Sequence, residues 1–241
     1  MSLVKNIQKR QRQKLFPVIS ELKIRSKKSG DLLRGRDPMR LVKEMERCPI
    51  AGISVVTEPV HFGGSMDLLK KIASSVSVPV LHKDFIKDQS QIKESKKAGA
   101  SAVLVIASIL SKKEIEELVS IAKSCGIEVL LEIHSESDLK KLQYIEPDLL
   151  GINNRDIKLL ETDDSGVEVT EKLIKICPKN CPIVSESSIR CADDVKRVKM
   201  AGADAVLVGT AVMLAENIKD FLNSLIAVGW DGKSKDMRNN Q

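Results

Sequence analysis

Ala98-Gly99-Ala100-Ser101-Ala102-Val103-Leu104-Val105 and Ala201-Gly202-Ala203-Asp204-Ala205-Val206-Leu207-Val208 are two copies of one phrase in a single chain. Each joins the end of a helical segment to an apolar run of strand length. Strand-like runs lie at Pro17–Lys23, Gly52–Thr57, Pro79–Ile86, Ala102–Ile106, Glu128–Glu132, Leu149–Asn153, Pro182–Ser185 and Ala205–Val208. The copies therefore fall on the fourth and eighth strands, half a cycle apart, as expected of a fold built from two similar halves.

Helical segments separate these strands. Asp37-Pro38 supplies an N-cap and a first-turn proline for a helix to about Arg47. Further helices follow Ser65, span Gln89–Ala98, and start at the capping box Ser111-Lys112-Lys113-Glu114, where Ile115, Leu118, Val119 and Ala122 form one apolar stripe. Others begin after Ser135 and span Val167–Ile176 and Ala192–Ala201, and the last carries Ile218, Phe221, Leu222, Leu225 and Ile226. Strict alternation implies a parallel sheet with right-handed crossovers. Eight units in 241 residues predict an α/β fold, a single (β/α)8 barrel, which takes about 250 residues. An open doubly wound sheet gives no reason for the offset of the repeat, and the G-x-G-x-x-G it requires after the first strand is absent.

Charged residues sit where the strands end. Side chains alternate along a strand, so Leu81, Lys83 and Phe85 share a face, as do Ile19, Glu21 and Lys23, then Leu130 and Glu132, then Gly151, Asn153 and Arg155. In an eightfold barrel the loops after the strands make the active face. Lys23, Lys83, Glu132, Asn153 and Arg155 are thus expected at one mouth. Loops after the seventh and eighth strands of such barrels often bind phosphate. Here they read Ser185-Glu186-Ser187-Ser188-Ile189 and Val208-Gly209-Thr210-Ala211, which also suits ordinary tight turns.

Composition narrows the function classes. The chain is 42% hydrophobic and 30% charged, as a soluble globular protein with a substantial core would be. The net charge of +6 admits nucleic acid, a membrane surface or a phosphorylated substrate. Lysines are scattered, however, and four Phe, one Tyr and one Trp offer little for base stacking, so no nucleic-acid partner is expected. No apolar run reaches the roughly 18 residues of a membrane span. Five cysteines without C-x-x-C read as reduced core filler, and the dispersed Asp84, Asp163 and Asp164 do not read as a metal site. His61 and His134 are placed in loops and His82 toward the helices. The expected organisation is a basic extension over residues 1–15, either short helix or disordered arm, then the barrel over 16–229 and a flexible tail over 230–241. A cytoplasmic monomer or weak homo-oligomer acting on a small phosphorylated molecule is anticipated. The cationic loop Arg25-Ser26-Lys27-Lys28-Ser29-Gly30 is either a solvated segment or a lid.

Ser20-Glu21-Leu22-Lys23, Thr57-Glu58-Pro59 with Phe62-Gly63-Gly64-Ser65, Lys83-Asp84-Phe85-Ile86, Glu132-Ile133-His134, Gly151-Ile152-Asn153-Asn154-Arg155-Asp156 and Ser185-Glu186-Ser187 occur in this order, close to one per strand end. Over residues 16–215 the chain resembles indole-3-glycerol phosphate synthase, the ring-closing enzyme of tryptophan biosynthesis. The resemblance implies the substrate 1-(2-carboxyphenylamino)-1-deoxyribulose 5-phosphate, loss of carbon dioxide and water, and no cofactor or metal. It casts Lys83 as general acid at the carbonyl oxygen and Lys23 as holder of the substrate carboxylate or assistant in dehydration. Glu132 becomes the base, with Glu21, Asn153, Arg155 and Glu186 positioning hydroxyls and lysines. Phe62 and Phe85 would flank the aromatic ring. Ser26, Ser187, Ser188, Leu207, Gly209 and Thr210 would surround the sugar phosphate, and Arg25, Lys27 and Lys28 would add cations.

Three departures from the resemblance matter. Ser26-Lys27 replaces a common Ser-Pro, which bears on the stiffness of the loop. Ser188 stands where a glycine usually follows the serine, which predicts a narrower site or an unfavourable backbone conformation. The segment before the first strand is short, which leaves open whether one wall of the pocket is missing. Two other functions were weighed: a phosphoribosylanthranilate isomerase-type barrel, expected to carry a cysteine where this chain has Glu21 and Lys23, and a non-catalytic basic binding protein.

Overall fold

The computed structural model describes residues 1–155 and 166–232. Asp156, Asp163, Asp164 and the tail from Lys233 lie outside them. In chain order the elements are α1 (Leu3–Arg12), β1 (Val18–Leu22), β2 (Arg25–Ser26), β3 (Gly30–Asp31), α2 (Pro38–Glu46), β4 (Gly52–Val56) and α3 (Met66–Ser75). There follow β5 (Val80–Lys83), α4 (Gln89–Lys97), β6 (Ala102–Ile106), α5 (Lys112–Cys125), β7 (Glu128–Ile133), α6 (Glu136–Lys141) and β8 (Leu149–Asn153). The chain continues through α7 (Glu168–Leu173), β9 (Ile183–Glu186), α8 (Ala192–Ala201), β10 (Ala205–Val208), α9 (Thr210–Leu214) and α10 (Ile218–Ile226). β1 pairs in parallel with both β4 and β10, so eight strands close in the order β1-β10-β9-β8-β7-β6-β5-β4. β2 and β3 form a small antiparallel hairpin within the loop after β1.

Alternation along each strand builds two apolar layers. Ile19, Leu81, Leu104, Leu130, Val184 and Leu207 fill the barrel interior. Their neighbours Val18, Val80, Val103, Leu131 and Val206 pack outward under the helices. Each such side chain contributes about 1.5–3 kcal/mol of burial, so a shift by one residue would forfeit both layers. The repeated phrase has a local cause as well. Gly99 and Gly202 take φ of 92° and 113°, where a side chain is disfavoured, and turn the chain out of α4 and α8 into β6 and β10.

The first residues form a helix that closes the barrel floor. Leu3 and Ile7 are fully buried and join the interior cluster. Polar groups of α1 bind the starts of three strands: Leu3 N–H donates to Glu128 at 2.6 Å, Asn6 Nδ2 to Ala51 O at 2.6 Å and Gln11 Nε2 to Asp204 O at 3.1 Å. The strand starts face away from the charged strand ends, so this segment walls no part of the cavity described below. Among the predicted elements that come out shorter, Val167–Ile176 contracts to α7, and Pro79–Ile86 ends as strand at Lys83, where the Asp84 carboxylate accepts the Phe85 N–H at 2.7 Å. Cys48 and Cys177 are buried, whereas Cys191 is exposed at the start of α8 and is not core filler. No helix of the described residues is long and apolar enough to cross a membrane.

Candidate active site

Lys83, at the last position of β5, points into the barrel mouth among three carboxylates. Its Nζ lies 3.1 Å from Glu186 Oε2 at the end of β9, 3.6 Å from Glu21 Oε2 on β1 and 3.9 Å from Glu132 Oε2 on β7. Lys23 follows β1 and sits 3.5 Å from the other oxygen of Glu21, with its ammonium 5.6 Å from the Phe62 ring centre. Glu132 and Glu186 are 0% exposed. Burial pushes the Glu186 carboxyl up to about 8; Lys83 opposes this, and the nearby Glu132 and Glu21 charges add to it. With Glu186 protonated, the formal charges are two carboxylates against two ammonium groups.

Two glycines make room for this cluster. A Cβ on Gly151 would lie 2.1 Å from Glu186 Oε1, and one on Gly209 would lie 2.2 Å from Glu21 Oε1. At either distance the carboxylate would have to move, so glycine at 151 and 209 leaves both carboxylates the positions they occupy.

The cavity has two lobes that share Glu21, Lys23 and Lys83. The polar lobe, about 210 Å³, is lined by Arg155, Ser187, Ser188, Arg190, Leu207, Gly209 and Thr210 among others. The other lobe is apolar, walled by Val56, Phe62, Phe85, Leu104 and Ile106, with Glu132 at its edge. It is the narrower of the two, at about 30 Å³.

Ser187 and Ser188 hold φ of 63° and 59°, left-handed conformations that cost about 1–3 kcal/mol each outside glycine. Asn154 supports them. Its Nδ2 donates to Ser185 Oγ, Glu186 O and Ser187 O at 3.1, 2.9 and 3.2 Å, while its Oδ1 accepts from Thr170 N–H at 3.0 Å. Arg155 Nε reaches Ser188 Oγ at 3.4 Å, and its N–H donates to Asn153 Oδ1 at 3.0 Å. Asn153 is buried beside Glu186 in the β8–β9 register.

The structure gathers most of the anticipated residues, while Arg25, Ser26, Lys27 and Lys28 of the loop after β1 line neither lobe. The Ser26 hydroxyl accepts the Ser29 N–H at 3.0 Å inside the β2–β3 hairpin. Arg25 spends its guanidinium on the carbonyls of Pro59 and Val60, tying the hairpin to the Phe62 loop instead of offering a cation to a ligand. Sequence reasoning missed Asn154, Arg190 and Glu58, whose carboxylate caps the Val60, His61 and Phe62 N–H groups and so shapes that loop. It also read His134 as bland, yet His134 Nε2 lies 3.3 Å from Glu132 Oε1.

Comparison with known proteins agrees with this geometry. Residues 1–225 match the family model for indole-3-glycerol phosphate synthase. An indole-3-glycerol phosphate synthase of Thermococcus kodakarensis is 44% identical over 211 residues, covering 88% of this chain and 92% of the relative. That of Pyrococcus furiosus is 44% identical over 210 residues, covering 87% and 91%. That of Halalkalibacterium halodurans is 38% identical over 209 residues, covering 86% and 80%. A family model spanning nearly the whole chain, together with relatives of this identity and coverage, establishes that the chain belongs to the indole-3-glycerol phosphate synthase family.

Proposed function

We propose that Lys83 is the general acid of indole-ring closure, working where the two lobes of the cavity meet. The activity is that of an indole-3-glycerol phosphate synthase, a carboxy-lyase acting on a small phosphorylated substrate. Its substrate has an aromatic carboxylate at one end and a sugar phosphate at the other, and the cavity is divided in the same sense. The observation that carries the assignment is that Lys83 borders both lobes, with a carboxyl 3.1 Å from its ammonium.

In this reading the anilino ring enters the narrow apolar lobe between Phe62 and Phe85. The phosphate lies against Ser187, Ser188, Gly209 and Thr210 with Arg155 beside it. The ring carbon attacks the ribulose carbonyl carbon while Lys83 delivers a proton to the carbonyl oxygen. A new carbon–carbon bond forms and the oxygen becomes a hydroxyl. Carbon dioxide then leaves, its bonding electrons returning to the ring. Elimination of the hydroxyl as water needs a proton donor, which Lys23 or Lys83 supplies, and a base, Glu132. Glu21 and Glu186 aim the two ammonium groups, and positioned acids and bases of this kind contribute roughly 10²- to 10⁴-fold each.

Mixing the purified protein with 1-(2-carboxyphenylamino)-1-deoxyribulose 5-phosphate should produce indole fluorescence. Absence of turnover by a folded wild-type chain would overturn the assignment of activity.

A further inference from the structure

Thr57, just past β4, holds three consecutive residues of the neighbouring strand. Its N–H donates to the Lys83 carbonyl at 3.0 Å, its hydroxyl donates to Asp84 Oδ2, and the same oxygen lies 2.7 Å from His82 Nε2. Thr57 and His82 are each 2% exposed. His82 sits on the face of β5 opposite to Lys83, under α4, and has no part in the chemistry above.

The hydrogen-bond partners of this ring bear on its proton count. The Ser95 hydroxyl donates to the Gln91 carbonyl at 2.6 Å, and a carbonyl can only accept. Ser95 Oγ has no second proton, so at 2.7 Å from His82 Nδ1 it accepts from the ring. Thr57 likewise gives its one proton to Asp84 and accepts from His82 Nε2. With both nitrogens donating, the ring would be an imidazolium. The groups facing the ring are Ser95 from α4, Thr57 from the end of β4 and Asp84 from the end of its own strand. Asp84 is the charged one, with Oδ2 at 3.8 Å from His82 Nε2. An alternative with the same protons moves one from His82 through Thr57 to Asp84. Against it, burial raises the Asp84 carboxyl, but His82 beside it and hydrogen bonds from Thr57 and the Phe85 N–H outweigh that and hold it below the usual carboxylate range.

We propose that Thr57 and His82 are positioning residues for Lys83: a buried imidazolium and the Asp84 carboxylate, bridged by the Thr57 hydroxyl, fix the end of β5 so that the Lys83 ammonium meets the reacting oxygen. The same carboxylate accepts the Phe85 N–H and so sets one wall of the apolar lobe. The inference rests on Lys83 being the general acid.

Two measurements test it. Imidazole ¹⁵N–¹H NMR of the full chain at pH 8, with His61→Gln and His134→Gln assigning the other two of the three histidines, reads the ring directly. The proposal expects both nitrogens of His82 to carry protons. A neutral ring with a bare Nε2 overturns it. Separately, Thr57→Val should lower kcat about ten- to a hundredfold with KM nearly unchanged, and Thr57→Ser, which keeps the hydroxyl, should restore most of that loss. A folded Thr57→Val chain with wild-type kcat, or one in which the loss falls on KM, overturns the proposal. If Lys83→Ala retains turnover, the general-acid assignment fails first; if only Thr57→Val does, the clasp alone fails. The NMR measurement needs no change at Thr57 and decides the question should Thr57→Val not fold.

Discussion

The carboxyl of Glu186 occupies the space of a side chain that Gly151 does not have: a Cβ at residue 151 would lie 2.1 Å from Glu186 Oε1. Glu186 is fully enclosed and cannot retreat into solvent. Gly151→Ala is therefore expected to turn the carboxyl away from Lys83 and lower kcat by about a hundredfold, the effect of displacing a catalytic group by about 1 Å. Steady-state kinetics on a chain whose circular dichroism matches wild type checks this. Wild-type kcat would mean that Glu186 does not aim the lysine.

Lys83 and Lys23 share Glu21 but border the chemistry differently. Lys83→Ala should leave the fold intact and reduce kcat at least about a hundredfold, since it removes a positioned acid. If Lys23 chiefly holds the substrate carboxylate, Lys23→Ala raises KM with a smaller change in kcat. Should Lys23→Ala instead match Lys83→Ala in kcat, Lys23 takes part in the proton transfers of dehydration.

Glu186 also makes stability depend on pH. Its folded value of about 8 exceeds the roughly 4.3 of an unfolded glutamate, so between these values the native state binds more protons than the unfolded chain. Its contribution is fully present below the unfolded value and is lost as pH rises through the folded one. Glu186→Gln removes this slope. Urea denaturation of both chains at pH 5 and pH 9 should show wild type losing more stability over that interval than the variant. Equal losses would mean that Glu186 is ionised in the folded protein throughout.

The barrel and half of its mouth are visible in the sequence because both depend on local period. Alternation along a strand puts Lys83 with Leu81 and Glu132 with Leu130, and the repeated alanine-glycine phrase marks where helices hand over to strands. What stayed hidden depends on partners distant in sequence. Asn154 gains its importance from the β9 end, 31–33 residues away. Ser26 is cast as a ligand contact by the resemblance alone, and nothing in its neighbours announces the hairpin in which its hydroxyl accepts from Ser29. The basic pattern of the first helix is plain, but the place where Leu3 and Ile7 dock is set by the open floor of the barrel, which no local pattern encodes.

Ser188 carries the cost foreseen from its replacing a glycine. At φ 59° its Cβ crowds its own backbone, a penalty of about 1–2 kcal/mol that glycine escapes. Glycine gives back part of that through a more flexible unfolded chain, about 0.4–1 kcal/mol. Ser188→Gly should therefore stabilise the fold by up to about 1.6 kcal/mol, seen as a higher Tm. It also removes the hydroxyl that Arg155 Nε reaches at 3.4 Å, so KM should rise even as stability increases. A variant with lower Tm would show that the Ser188 hydroxyl stabilises the loop more than its backbone strains it.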